Sequence, residues 1–328
     1  MSEKIRALGL FSGGLDSMLA AALLRALGIE VTVITFVTPF FGAERARESA
    51  AHLGLPHRVA DLYDQFRPLL YTPPHGWGRG HNPCIDCHIL MLREAGAIMA
   101  AEGFYFLFTG EVLGQRPMSQ HRNALNLVAR ESGHPDLVLR PLSAKLLKPT
   151  RPELSGWVDR ERLLDLNGRS RKRQMALAAE YGISQYPAPA GGCLLTDPRY
   201  AVRLKELLAH RGREVTRQEL ELLKWGRHFR LPGGAKAVVG RTQRENEALI
   251  SLKTPEDLIL KVLDHPGPLV LLPESASPED IKEAAALAAA YSDAPTGIQV
   301  SMATEHDTGR PQISLTVSTK DRFKEWLI

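Results

Sequence analysis

Leu10-Phe11-Ser12-Gly13-Gly14-Leu15-Asp16-Ser17 is the stretch on which the reading of the chain turns. The apolar run Ile5 to Phe11 leads into it, and Met18 to Leu27 leaves it with apolar residues at helical spacing. Strand, glycine turn and helix start follow one another directly. Gly13 and Gly14 carry no Cβ, so the backbone there turns tightly and comes close to a ligand. The helix start presents unpaired N–H groups and a partial positive charge, which together make an anion site. Ser12 and Ser17 place hydroxyls at the two ends of the turn, and Asp16 adds a carboxylate suited to a divalent cation riding on phosphates. No lysine follows the second glycine, so this is not the Gly-x-x-x-x-Gly-Lys-Ser/Thr loop, nor is it Gly-x-Gly-x-x-Gly. The plain alternative is a glycine turn with two capping serines.

Composition bounds the rest. A chain of 328 residues suggests two domains. Its 44% hydrophobic and 24% charged content is that of an ordinary soluble protein with a core large enough to need no disulfides. A formal net charge of +4 is compatible with nucleic acid without requiring it. No run of 18 apolar residues occurs, so no membrane span is expected, and Ser12-Gly13-Gly14 interrupts any signal-peptide core. A cytoplasmic location is therefore expected. In a reducing compartment, three cysteines point to metal or redox chemistry before disulfides.

Strand and helix patterns then alternate. Val31 to Val37 reads as a second buried strand, Ala43 to Leu53 as a helix, and Arg58 to Asp61 as a short third strand. This predicts an α/β fold, a doubly wound parallel sheet with its ligand at the carboxyl ends of the strands. Phe36 ends the second strand, either as a core residue or near an adenine. From Tyr63 to Pro83 prolines and glycines deny regular structure, as expected of a functional or mobile loop. A helix runs from about Cys87 to Glu102, and the apolar strand Phe104 to Thr109 ends in Thr109-Gly110-Glu111-Val112-Leu113-Gly114-Gln115. Ser119 to Arg130 looks helical, and Leu137 to Leu139 reads as the last strand. Arg169, Arg171, Lys172 and Arg173 open a helix running to Tyr181; cations there oppose the macrodipole, so they are read as aimed at an anion, with RNA phosphate the natural candidate.

The composition changes after Asp197, and we place a boundary near residues 200–215. Domains of 1–205 and 215–328 are expected, the second a smaller α+β domain. Arg199 to His210 and Thr216 to Lys224 read as helices with basic faces. Trp225 to Arg230 and Ala235 to Gly240 flank Leu231-Pro232-Gly233-Gly234 as a hairpin. Pro278 to Tyr291 is an alanine-rich helix, and Ile298 to Met302 and Gln312 to Val317 alternate as strands.

Cys84 and Cys87 form a Cys-x-x-Cys at a helix start, where the dipole favours thiolate. Cys193 follows Pro187-Ala188-Pro189-Ala190-Gly191-Gly192, a rigid and non-regular backbone. Three thiolates suit three irons of a [4Fe–4S] cluster, a Cys₃His zinc site with His81 or His88, or persulfide or disulfide exchange. Three unrelated core thiols are the plain alternative.

Ser12-Gly13-Gly14-Leu15-Asp16-Ser17 resembles the pyrophosphate loop of the N-type ATP pyrophosphatases, which cleave ATP between the α and β phosphates and place AMP on a substrate oxygen. Gly110-Glu111-Val112-Leu113-Gly114-Gln115 with Ser119-Gln120 resembles the matching segment of tRNA 4-thiouridine synthetases. Asn82-Pro83-x-x-x-Cys87 is similar to the Asn-Pro-Asp-x-x-Cys of tRNA-uridine 2-sulfurtransferases, with Cys84 replacing their aspartate. Cys-x-x-Cys plus a distant Cys resembles the cluster-dependent thiolases of that superfamily. Roughly residues 220–328 resemble the RNA-binding domain of the NFACT proteins through Gly226-Arg227-His228-Phe229-Arg230, Val239-Gly240-Arg241-x-x-x-Glu245-Asn246 and Glu283 to Ser292.

These resemblances imply an ATP-dependent tRNA sulfurtransferase. ATP and Mg²⁺ would sit on Phe11, Ser12, Gly13, Gly14, Asp16 and Ser17, with Phe36, Gly110 and Gln115 beside them. Asp16, Cys84, Cys87 and Cys193 would be catalytic, the three cysteines binding a [4Fe–4S] cluster. The partners would be tRNA and a sulfur donor, either sulfide or a persulfide carrier; a homodimer is compatible with the sequence. The rival expectations are thiolation by cysteine persulfide, an amidating or small-molecule sulfur-transfer enzyme with zinc at the cysteines, and a non-catalytic RNA- or ribosome-binding protein.

Overall fold

The computed structural model describes residues 4–188, 193–304 and 313–328, and the chain divides into two compact units, Met1–Asp197 and Pro198–Ile328.

The first unit runs β1 (Arg6–Leu10), α1 (Leu15–Ala26), β2 (Glu30–Val37), α2 (Glu44–Leu53), β3 (His57–Asp61), α3 (Tyr63–Phe66), α4 (Cys84–Glu102), β4 (Phe106–Thr109), α5 (Arg122–Glu131), β5 (Val138–Leu139), α6 (Arg151–Leu154) and α7 (Lys172–Glu180). Its sheet has the order β3-β2-β1-β4-β5 with every pairing parallel. The chain winds outward from β1 through β2 to β3, then returns to the other side of β1 for β4 and β5. The direction of winding therefore reverses between β1 and β4, and a crevice opens at their carboxyl ends, where such sheets hold ligands. The expected doubly wound parallel sheet is the one observed. Its central strands read as continuous apolar runs because helices cover both faces. Leu15, Met18, Leu19, Leu23 and Leu24 of α1 pack with Val31, Val33, Phe106, Phe108 and Leu139 in one core. Each such side chain contributes about 1.5–3 kcal/mol by leaving water.

The long loop after β3 is tied down. Asp86, buried on α4, accepts hydrogen bonds from the His75 backbone at 3.1 Å and from the His75 ring at 2.8 Å. The His81 ring bonds the Leu70 carbonyl at 2.8 Å and stacks on Trp77 at 4.9 Å.

The second unit runs α8 (Pro198–Arg211), α9 (Arg217–Leu222), β6 (Arg227–Arg230), β7 (Lys236–Val239), α10 (Gln243–Leu252), β8 (Asp257–Val262), β9 (Val270–Pro273), α11 (Pro278–Tyr291), β10 (Gln299–Thr304) and β11 (Ile313–Thr316). The six-stranded sheet is antiparallel, in the order β11-β10-β8-β9-β7-β6. The expected hairpin is β6 and β7. Asp280 of α11 accepts hydrogen bonds from the Gly233 and Ala235 N–H groups at 2.8 and 2.9 Å, fastening its turn. Alanines 284, 285, 288 and 289 let α11 lie close on the sheet. The division between the units falls at Asp197/Pro198, where the composition changes and ahead of the boundary placed near 200–215. The reason is that α8 is built into the second unit: the Tyr200 hydroxyl donates to the Leu220 carbonyl at 3.0 Å, and Arg203 donates to the carbonyls of Leu223 and Gly226. No helix is long and apolar enough to cross a membrane among the described residues.

Candidate active site

The glycine turn leaves β1 at the centre of the sheet and enters α1, whose N-cap is Gly14 with no side-chain cap. Its first N–H groups therefore stay available to an anion. Gly13 has φ +69°, and a Cβ there would lie 2.6 Å from the Arg45 carbonyl oxygen of α2. The Gly13 carbonyl accepts the Ser49 hydroxyl at 2.9 Å. At Gly14 a Cβ would meet only the Ser12 hydroxyl, at 3.4 Å, so this side of the turn is open. Ser12 is exposed, whereas the Ser17 hydroxyl donates to the Gly14 carbonyl at 2.8 Å. Gly110, just past β4, packs on the other side: a Cβ there would lie 2.5 Å from the Ser17 nitrogen and 2.6 Å from the Asp16 carbonyl carbon. The Phe11 ring is part of the core, leaving only its backbone at the turn. Phe36 is buried and in register with Ala60 of β3.

The polar atoms around the turn are incompletely paired. Gln115 Nε2 donates to Asp16 Oδ2 at 2.7 Å, while Asp16 Oδ1, Gln115 Oε1, Gln120 Oε1 and Arg171 Nε are buried with no hydrogen-bond partner among the described residues. Burial raises the Asp16 pKa, opposed by Gln115, Arg171 and Arg116, and Gln174 faces the same carboxylate. Orphaned buried polar atoms are costly unless a ligand satisfies them. Two oxygen acceptors suit a hard cation such as Mg²⁺, and a guanidinium N–H suits a phosphate. This divides the basic cluster. Arg173 pairs with Asp165 at 2.6 Å, whereas Arg171 turns toward Asp16 rather than standing with its neighbours as one RNA-facing group.

The helix of the cysteines begins at Cys84, one turn earlier than its spacing suggests. Cys84 and His88 stand four residues apart, on one face. The His88 ring and the Ser119 hydroxyl hydrogen-bond the Cys84 thiol; burial pushes that thiol up, but these partners and Arg116 outweigh it and hold its pKa below the usual value. Behind His88 lies a buried chain of charge. His88 Nδ1 meets Glu111 Oε1 at 3.2 Å, and Glu111 Oε2 accepts Thr109 Oγ1 at 3.0 Å and Arg140 Nε at 2.9 Å. Burial disfavours the His88 cation, yet Cys84 and Glu111 raise its pKa to about 10. Burial alone would lift Glu111, but Arg140 and His88 lower it to about 2. His88 is thus an imidazolium at neutral pH, set between the Cys84 sulfur and the Glu111 carboxylate.

The other two thiols differ. Cys87 is buried, and burial together with Cys193, Cys84 and Asp86 pushes its pKa well up. Burial raises Cys193 to about 11, with Cys84 adding to the rise. The two positions of the Cys-x-x-Cys therefore differ: the surroundings of Cys84 lower its pKa, and those of Cys87 raise it. The three thiols sense one another, but no group of three His, Cys, Asp or Glu side chains is gathered to hold a metal ion among the described residues. The donor set for a cluster or a zinc ion is not assembled: Cys84 is engaged with His88 and Ser119, and the His81 ring with Leu70. Residues 189–192, including Gly191 and Gly192, lie outside the described residues.

Sequence reasoning gave no catalytic part to His88, Glu111, Arg116, Arg140 or Gln174. Only the Cys84–His88 spacing carried a local signal; the others come together across the sheet.

In the second unit, the Arg227 guanidinium lies 4.9 Å and the Lys320 ammonium 5.3 Å from the Tyr291 ring centroid.

Residues 226–327 match the family described as NFACT protein RNA binding domain, and residues 5–68 match a family of unknown function (DUF7411). Among curated proteins, the tRNA-specific 2-thiouridylase MnmA of Azorhizobium caulinodans is 26% identical over 273 residues, covering 77% of this chain and 65% of its own length. This chain is similar to the tRNA-specific 2-thiouridylases. The thiouridylase of Pelobacter propionicus is 36% identical over 114 residues, 29% of this chain and 32% of its own. The chain thus spans about a third of the length of the first curated relatives it matches. Two solved structures are similar. One is a 4-thiouridine synthetase–RNA complex with bound ATP (21% identity, TM-score 0.37, 66% of this chain and 53% of that one). The other is a predicted subunit of tRNA methyltransferase from Methanocaldococcus jannaschii (21%, TM-score 0.36, 54% and 76%).

Proposed function

We propose that this protein is an ATP-dependent tRNA sulfurtransferase. The observation that carries the reading is the set of orphaned atoms at the open start of α1: two buried oxygens, on Asp16 and Gln115, and one buried guanidinium N–H, on Arg171. A nucleotide triphosphate with its magnesium supplies what each lacks. The uncapped helix start and Arg171 bind phosphate; Asp16 and Gln115 would hold Mg²⁺, which neutralises charge as pyrophosphate departs. The carbonyl oxygen of a uridine or cytidine attacks the α-phosphorus, pyrophosphate leaves, and the base carries AMP on that oxygen. Sulfur then attacks the same carbon and AMP leaves with the oxygen. A base inside a helix must leave its stack to reach this site. The second unit supplies RNA affinity in this reading, supported by its match to an RNA-binding family.

Sulfur is delivered at Cys84, Cys87 and Cys193. A [4Fe–4S] cluster would take these three thiols as its protein ligands, but their arrangement among the described residues does not fit one. A specific observation favours a persulfide instead: of the three thiols only Cys84 has its pKa lowered, by the His88 ring and the Ser119 hydroxyl beside it. A persulfide carrier passes its outer sulfur to the Cys84 thiolate and leaves as a thiol. That terminal sulfur forms the new C–S bond as AMP leaves. Cys87 or Cys193 attacks the Cys84 sulfur and breaks the S–S bond, which releases the thiolated base and leaves a disulfide on Cys84, and an added thiol reductant opens that disulfide. Iron and acid-labile sulfide measured in anaerobically purified, active protein separate the two; a colourless, iron-free, active protein refutes the cluster. The function itself is tested by mass spectrometry of tRNA nucleosides from a strain lacking the protein. One thionucleoside should vanish and return with the wild-type chain but not with Asp16→Ala; an unchanged set of thionucleosides refutes the proposal.

A further inference from the structure

Two chemistries that must meet on one base are joined by one short segment. Gln115 reaches one way, with Nε2 on Asp16 Oδ2 at 2.7 Å. Ser119 reaches the other way, with its hydroxyl on the Cys84 thiol. The backbone between them closes on itself, Gly114 N–H to the Gln120 carbonyl at 2.7 Å and Gln120 N–H to the Arg116 carbonyl at 2.9 Å, so the two contacts stand at a set separation. Arg116 lies between them. Its side chain is exposed and makes no ion pair or hydrogen bond among the described residues. It follows Gln115 directly, and its carbonyl accepts the Gln120 N–H, so the guanidinium springs from the segment that holds Asp16 at one end and Cys84 at the other. A guanidinium fork donates two parallel hydrogen bonds to a phosphate, and an unpaired one beside a phosphate loop lacks only that anion.

We propose that Arg116 holds the α-phosphate of the nucleotide between Asp16 and Cys84, first in ATP and then in the adenylated base. The assignment rests on the adenylation reading above. Arg171 serves the buried side of the turn, and Arg116 the side facing the thiols. Adenylation breaks the bond between the α-phosphorus and the bridging oxygen, and its electron pair leaves with pyrophosphate. The new phosphodiester keeps one negative charge, which Arg116 retains while sulfur attacks the base carbon and AMP departs. Without that hold, the adenylate drifts from Cys84 and water attacks it, returning the original base and AMP.

The test uses the full chain with Arg116→Ala, Arg116→Lys and, as a control on the same face of the sequence, Arg122→Ala, whose side chain is exposed at the start of α5. Calorimetry measures affinity for AMP and for α,β-methylene-ATP. Loss of one charge-assisted contact should weaken both about tenfold in Arg116→Ala, with partial recovery in Arg116→Lys and no change in Arg122→Ala. Turnover with tRNA then gives the AMP released per thionucleoside formed, which should rise severalfold in Arg116→Ala, a change that a purely structural role would not produce. Unchanged AMP affinity in Arg116→Ala, or an unchanged ratio, overturns the proposal; so does a loss confined to thiol reactivity. If the wild-type chain forms neither AMP nor thionucleoside, the sulfurtransferase reading fails, and nucleotide affinity still judges Arg116 by itself.

Discussion

Glu111→Gln removes one negative charge from a buried chain while keeping its shape. The side chains of Glu111 and Arg140 are 8% and 6% exposed, with 2.9 Å between Oε2 and Nε, and His88 stands 3.2 Å from the other oxygen. The variant leaves two buried cations facing an amide. Lowering the carboxyl pKa from 4.5 to about 2 corresponds to about 3 kcal/mol of native-state stabilisation. That agrees with the roughly 3–5 kcal/mol cost of breaking a buried pair by deleting one partner. Because the folded pKa is depressed, the contribution is complete above pH 4.5 and is lost as pH falls toward about 2. His88 reports the same contact from its other side: its raised pKa contributes below 6.5 and is lost as pH rises through about 10, and the two are not added. Hydrogen-exchange mass spectrometry on peptides of β4 and β5 under a urea series reads the first unit alone. Glu111→Gln should lose about 3 kcal/mol at pH 7, and the gap should narrow at pH 3. A loss under about 1 kcal/mol at pH 7, the cost of a solvent-exposed pair, would refute the reasoning, as would a gap that does not narrow.

Two more outcomes follow from the same geometry. Iodoacetamide at pH 7.5, mapped by peptide mass spectrometry, should alkylate Cys84 first, and His88→Gln should slow that reaction about tenfold; first labelling at Cys193, whose thiol sits at about 11, would contradict the assignment. Gly110→Ala sets a methyl 2.5 Å from the Ser17 nitrogen, so the helix start must shift; thermal unfolding should show a loss of about 1–3 kcal/mol and calorimetry a marked loss of affinity for an ATP analogue, while normal binding would show that the turn tolerates the displacement.

The glycine turn was legible because its information is local. Strand, two glycines and helix are adjacent in sequence, and the alternation after them predicts the parallel sheet that forms. The β6–β7 hairpin was legible for the same reason, with Pro232-Gly233-Gly234 in its turn, and α11 appears at the predicted bounds. The stretch from Arg241 to Ser277 carried no strand or helix expectation. Its strands β8 and β9 are short apolar runs without alternation, identified only by the neighbours they pair with. The basic cluster at Arg169 was visible as charge, but charge along a sequence has no direction. Only packing turns Arg171 toward Asp16 and leaves Arg173 on Asp165.

Local sequence alone specifies that a strand, a glycine turn and a helix start open a parallel sheet, and that a Cys-x-x-Cys lies at the start of a later helix. Tertiary structure alone decided which groups share the crevice. Reversal of the winding between β1 and β4 brings Gly110 and Gln115 onto the turn at Asp16, although Gln115 and Asp16 are 99 residues apart. Burial then separates thiols that look equivalent in sequence. Cys84 gains an imidazolium, and Cys87 gains only apolar surroundings and like-charged neighbours. The physical reason is that ionisation depends on desolvation and on nearby charge, and both are set by the fold rather than by position along the chain.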